Sequence, residues 1–239
     1  MYITSICYLG AKSLSHVLSC IERCKEKLLA IGQESAEARR QIVRSVMGYW
    51  IDQPGVGANV VDKLLNYSVL TPSSVIEWAF FDAGHAALSQ NHVWEMVSTT
   101  VNKVNNRVRQ IVAARPSLGA AVSGMSDADG AGTSSGMENE EEYAAVLAAY
   151  EATLESAKIE QKQIAEMVLR ALRKIADGQG PMEGEDAYED DVWMSLDGVQ
   201  REEAMEWMGW WGGQWLKAFG RRYAIEGVIG EEEVKAMRI

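Results

Sequence analysis

The sequence predicts an all-α fold of antiparallel helical hairpins stacked as a HEAT-like solenoid, with one long helical hairpin protruding from it. Three observations carry that expectation. Ala, Glu, Leu, Met, Lys and Arg dominate the long segments, and these residues lose least on entering a helix. Only four Pro occur in 239 residues, so long helices are permitted nearly everywhere. Apolar residues recur at three- and four-residue spacing between short stretches of punctuation, which makes successive helices antiparallel neighbours. No repeat of fixed period is present, so the solenoid rests on helix length and order.

Leu14, Val17, Leu18, Ile21, Leu28 and Ile31 keep helical spacing, with Gly32 as the expected stop. Ile42, Val43, Val46, Met47 and Trp50 mark the next helix, ended by Asp-Gln-Pro-Gly at 52–55. Val60, Val61, Leu64 and Leu65 mark a third. Thr71-Pro72 opens a fourth, because Thr caps well and Pro suits the first helical position. Val75, Ile76, Ala79 and Phe80 form its buried face, and Asp-Ala-Gly at 82–84 ends it. A longer helix carries Val93, Val97, Val101, Val104, Val108 and Ile111 on one stripe. These helical-hairpin repeats fill 1–115.

Residues 116–137 break the pattern, with five Gly, five Ser and no charge but Asp127 and Asp129. Such a stretch buries too little apolar area to offset its ordering entropy, and it is expected to be a disordered insertion. From 138 to 177 one long helix resumes, its stripe running through Tyr143, Leu147, Tyr150, Leu154, Ile164, Val168, Leu172 and Ile175. The helices before and after the insertion are expected to run antiparallel as an extended hairpin. An acidic linker follows at 178–192. Trp-rich helices at 193–239 then close the domain, the last of them a short one at 231–237.

Charge bounds the function. The net charge is −11, yet 1–115 carry 12 Lys and Arg against 9 Asp and Glu, whereas 116–239 carry 11 against 25. A chain this acidic is a poor general nucleic-acid binder, so any RNA contact would come from the first half or from a partner. No apolar run approaches the length of a membrane span, and the N-terminus lacks the basic region and cleavage site of a secretory signal. Cys7, Cys20 and Cys24 make no disulfide framework and no C-x-x-C, which suits a reducing compartment.

Catalysis and cofactors find no motif. None of G-x-S-x-G, H-E-x-x-H, the P-loop or G-x-G-x-x-G occurs. His16, His85 and His92 have no nucleophile or base that sequence can pair with them. His16, Cys20 and Cys24 fall on one helical face, but at about 1.5 Å rise per residue the outer two stand about 12 Å apart, too far to share an ion. An enzyme and a metal site are therefore not expected.

Three stretches carry a resemblance. Residues 9–28 read LGAKSLSHVLSCIERCKEKL, similar to the G-(S/A)-K-S-(F/L)-S-H helix of the large-subunit family of the nuclear cap-binding complex. Residues 60–80 read VVDKLLNYSVLTPSSVIEWAF, which resembles that family's V-D-K segment, apolar turn and W-x-F helix. Residues 92–108 read HVWEMVSTTVNKVNNRV, close to its W-E-x-(L/I)-x-x-T-(I/V)-x-K-x-N helix. Order and spacing match as well. The sequence departs from the family at Cys24, where an aromatic is usual, and in the Gly-rich rather than charged insertion.

The resemblance implies three helical-hairpin domains related to the middle domain of translation-initiation scaffolds, of which this chain is most of the third, as a fragment or truncated product would be. It implies a nuclear scaffold, possessing no catalysis of its own and shuttling to the cytoplasm. The implied partners are a small cap-binding subunit with an RNA-recognition motif, capped RNA indirectly through that subunit, and factors of RNA processing, splicing, export and nonsense-mediated decay. An unrelated helical-repeat adaptor is the alternative.

Two basic patches are candidates for those contacts. Lys103, Arg107 and Arg109, with Asn102, Asn105 and Asn106, make a polar basic face on the long helix. Its plain reading is a solvated face, and its functional one is contact with the small subunit or RNA phosphates. Arg39, Arg40 and Arg44 are the second patch. Trp207, Trp211 and Trp215 lie at four-residue steps with Trp210 beside them. Such a stripe is first a core feature, and otherwise a groove with acidic rims for a basic peptide.

Overall fold

Local chemistry explains where the helices start and stop. The computed structural model describes residues 2–84, 87–125, 135–178 and 197–230, with side chains at 2–84, 87–115, 144–178 and 197–230, and among these no strand occurs. Helices α1 (Tyr2–Gly10), α2 (Leu14–Arg23), α3 (Lys25–Glu34) and α4 (Ala36–Tyr49) come first. Ser13 Oγ accepts from the His16 N–H at 3.2 Å and Ser35 Oγ from the Ala38 N–H at 3.0 Å, the N-caps of α2 and α4. Pro54 occupies the first turn of α5 (Pro54–Asn66).

Thr71 caps α6 (Pro72–Glu77) with Ser74 in a reciprocal capping box, as the Thr-Pro pair predicts. The helix then widens into a π-helical turn, Trp78–Asp82, closed by the Ala83 N–H donating to the Trp78 carbonyl at 2.9 Å. Beyond it lie a 3-10 turn (Ala87–Ser89) and α7 (Asn91–Met125), α8 (Ser135–Ala176) and α9 (Gly198–Ile225). Asp197 and Gln200 form the capping box of α9.

Three expectations are corrected. The single helix expected from Leu14 to Ile31 is two, broken at Cys24, whose φ of −100° and ψ of 5° leave the helical region. Gly32 is no stop: it is buried inside α3, where a Cβ would stand 2.4 Å from the Val69 carbonyl oxygen. The stop is Ser35, whose extended backbone ends α3 while its side chain starts α4. Third, α7 continues through Pro116 to Met125 and α8 begins at Ser135, so the insertion expected to be disordered at 116–137 is helical at both ends. Pro removes one hydrogen bond, and the Ala and Leu around it favour continuation. Residues 126–134, the acidic linker at 179–192, Trp193 and the short helix at 231–237 lie outside the described residues.

Residues up to Val101 and from Ile164 onward form one compact unit, and Asn102–Gln163 a second. In the first, α1 packs on α2 and α4, α2 also on α5, α3 on α4, and α4 on α5 and α6, as paired helices stacking in series do. Cys7, Val17, Ile21, Val43, Val46, Val60, Leu64, Val75 and Ile76 are fully or almost fully buried there. Most positions expected on the buried faces are core, including Val75, Ile76, Ala79, Phe80, Val93, Val97 and Val101.

The second unit pairs α7 with α8 as an antiparallel hairpin. Asn105 meets Gln161, Arg107 meets Glu160 and Arg115 meets Glu151, so numbers rise on one helix as they fall on the other.

Candidate interaction surfaces

The Arg39, Arg40 and Arg44 patch is an internal clamp. Arg40 Nη2 lies 2.8 Å and Arg44 Nη2 2.9 Å from Asp82 Oδ1, and Arg40 Nε donates to Oδ2 at 3.4 Å. The Asp82 side chain is only 1% exposed, against 25% and 28% for the two arginines. Hydrogen bonding to Asp82 raises the Arg40 pKa further above its ordinary value. Arg39 Nη1 donates to the Gly32 carbonyl at 2.7 Å, satisfying an acceptor near the end of α3. These guanidinium groups hold α3, α4 and the π turn together. Beside them Glu77 is half-buried, and desolvation pushes its carboxyl above the usual range against the pull of Arg40.

The long-helix face divides in two. Asn105, expected with the basic face, is instead buried in the hairpin. Asn106, Arg107 and Arg109 are exposed, and Asn102 and Lys103 are half-buried. Arg107 Nη1 pairs with Glu160 at 3.2 Å, and Arg109 Nη1 donates to Asn106 Oδ1 at 3.0 Å. Arg107 keeps 61% of its side chain in water, and an ion pair of that kind is worth at most about 1 kcal/mol, little enough to yield to a partner.

The Trp stripe is core at one end only. Trp215 is buried, with the Trp94 ring edge-on at 4.6 Å and Phe80 at 6.3 Å, while Phe219 lies 5.1 Å from Trp94. Trp207 is 45% and Trp210 57% exposed. A four-residue step on a helix advances about 400°, so the stripe winds about 40° per step, leaving the solvent at Trp207 and entering the core at Trp215. Gly212 sets the inward face, since a Cβ there would stand 2.8 Å from Ile175 Cγ2. Neighbouring Tyr223 is fully buried, and desolvation drives its phenol pKa well above the ordinary value.

Among the described residues none of these surfaces carries a nucleophile paired with a His. A cleft of ≈ 240 Å³ between α5, α6 and α7 is lined by Asn59, Asp62, Glu95, Met96 and Thr100, and holds no His or Cys. Among the described residues no group of three or more His, Cys, Asp or Glu could hold a metal. His16 is exposed, Cys20 and Cys24 are half-buried, and burial lowers the His92 pKa; His85 lies outside the described residues. All three cysteines are free. No described helix is long and apolar enough to cross a membrane.

Sequence reasoning missed Asp82 as the acceptor that claims two arginines. The only signal was an acid at a helix end, which reads equally well as a turn residue.

Comparison with known proteins agrees with the helical architecture. Residues 1–227 match the family described as MIF4G like. The chain is similar to nuclear cap-binding protein subunit 1 of Schizosaccharomyces pombe, 32% identical over 104 residues, which cover 44% of this chain and 13% of that protein. The Salmo salar protein of the same name is 28% identical over 108 residues, covering 45% of this chain and 13% of the relative. For the Homo sapiens protein the figures are 26% over 111 residues, 46% and 14%. The match therefore spans about a seventh or less of these curated relatives.

Proposed function

This chain belongs to the MIF4G-like family, and from that premise we propose that it is a non-catalytic scaffold part of the nuclear mRNA cap-binding complex. The observation that carries the reading is its similarity to nuclear cap-binding protein subunit 1 from fission yeast to human. Membership in this family favours the reading over an unrelated helical-repeat adaptor.

In this reading the chain supports a small cap-binding subunit with an RNA-recognition motif and meets capped RNA indirectly, through that subunit. A net charge of −11 fits an indirect role, because direct phosphate binding needs a positive surface. The exposed Arg107 and Arg109 and the half-buried Lys103 form the contact face on α7, whereas Arg39, Arg40 and Arg44 support it only by stabilising the repeats. The platform recruits splicing, export and decay factors in the nucleus, and shuttles with the transcript.

The test is a pull-down of this chain with the small subunit of the same organism, with and without cap analogue and at low and high salt. Retention weakened by salt supports docking through the charged face. Failure of the full-length large-subunit polypeptide to retain the small subunit refutes the reading.

A further inference from the structure

We propose that the exposed Trp207–Trp210 face of α9, flanked by Glu202, Glu203 and Glu206, docks an Arg-bearing segment of a partner protein. It uses none of the residues of the basic face of α7 and does not depend on where a small subunit binds.

Trp is normally well buried, and neighbouring indoles left in water are costly unless something covers them. Trp207 and Trp210 stay 45% and 57% exposed, while Trp215, further along the same helix, is core. The two exposed rings are pre-positioned. Half-buried Trp211 stands edge-on to both, 6.3 Å from Trp207 and 4.9 Å from Trp210, each at 80°. A rigid aromatic anchor loses little entropy when a partner binds.

Charge selects the partner. Glu202, Glu203 and Glu206 are exposed on the turns just before the indoles, and among the described residues none of them forms an ion pair. Residues 183–206 hold ten carboxylates and one base, Arg201. Platforms that stack nucleic-acid bases sit in positive grooves, and interfacial membrane helices carry Lys and Arg on their polar face; this surface has the opposite sign. A second copy would bring carboxylates against carboxylates. An Arg side chain satisfies both features together, laying its planar guanidinium on an indole face while donating to a neighbouring carboxylate.

The experiment uses the full chain and a labelled peptide alternating Arg with Gly and Ser, read by fluorescence anisotropy and by Trp emission. Its Glu analogue and an oligouridine serve as competing probes. The expected result is saturable binding of the Arg peptide alone. Both W207A/W210A and E202Q/E203Q/E206Q weaken it roughly tenfold or more, and the glutamine variant flattens its salt dependence. Circular dichroism confirms each fold; should the Trp variant lose helicity, the surface glutamine variant decides. Unchanged binding in the variants, no Arg-peptide binding, equal binding of the Glu peptide, or oligouridine binding lost in W207A/W210A each overturns the proposal. So does self-association, seen by sedimentation, that W207A/W210A abolishes.

Discussion

Gln161 Nε2 donates a hydrogen bond to Asn105 Oδ1 at 3.0 Å across the α7–α8 hairpin, with Asn105 1% and Gln161 8% exposed. A buried polar pair between two helices fixes their register, because any slip leaves both groups without partners. N105L or Q161L alone strands the other side chain and is expected to cost about 1–3 kcal/mol in urea denaturation. The double variant N105L/Q161L recovers most of that loss. Additive losses in the cycle would mean the pair is not coupled.

The clamp gives a larger effect. D82A leaves Arg40 and Arg44 facing a mostly buried site without their carboxylate, and is expected to cost about 3 kcal/mol. R40A costs less, since Arg44 still reaches Asp82. Equal denaturation midpoints for wild type and D82A would show that the pairs contribute nothing.

Two glycines make an opposed pair of tests. At Gly32 a Cβ would sit 2.4 Å from a backbone oxygen, so G32A is expected to destabilise by about 1–3 kcal/mol. At Gly213, inside α9, a Cβ meets nothing within 4 Å, so G213A should gain about 1 kcal/mol from helix propensity. Thermal melts of the two variants should move in opposite directions.

Glu77 supplies a pH signature. Its folded pKa is raised, chiefly by desolvation, so the folded state binds the proton more tightly than the unfolded chain does. Stability from this group is complete below the unfolded carboxylate value and falls as pH rises through the raised folded value. E77Q removes the titration. Its stability relative to wild type should therefore be more favourable at neutral pH than in mild acid, and urea titrations at several pH values would show a flat difference if Glu77 were unperturbed.

Much of the fold was legible in the sequence because it rests on local rules. Thr71-Pro72 announces a helix start, and the spacing of Val75, Ile76, Ala79 and Phe80 announces its buried face. What stayed hidden is tertiary. Gly32 reads as a stop until Val69 is seen against it. Asp82 reads as a turn residue until Arg40 and Arg44, about forty positions away, are found on it. Asn105 belongs with the surface asparagines by spacing and with the core by pairing. For the candidate sites, residue type identified both Arg patches, but only geometry separates the clamp on Asp82 from the face that stays in water at Arg107.

The most direct test of the scaffold reading is the affinity of the small RNA-recognition-motif subunit for this chain and for K103E/R107E, measured by titration calorimetry at two salt concentrations. Docking through α7 predicts binding that weakens roughly tenfold or more on charge reversal and falls with salt. Full affinity in the reversed variant would contradict that face, and no binding by the full-length large-subunit polypeptide would contradict the scaffold itself.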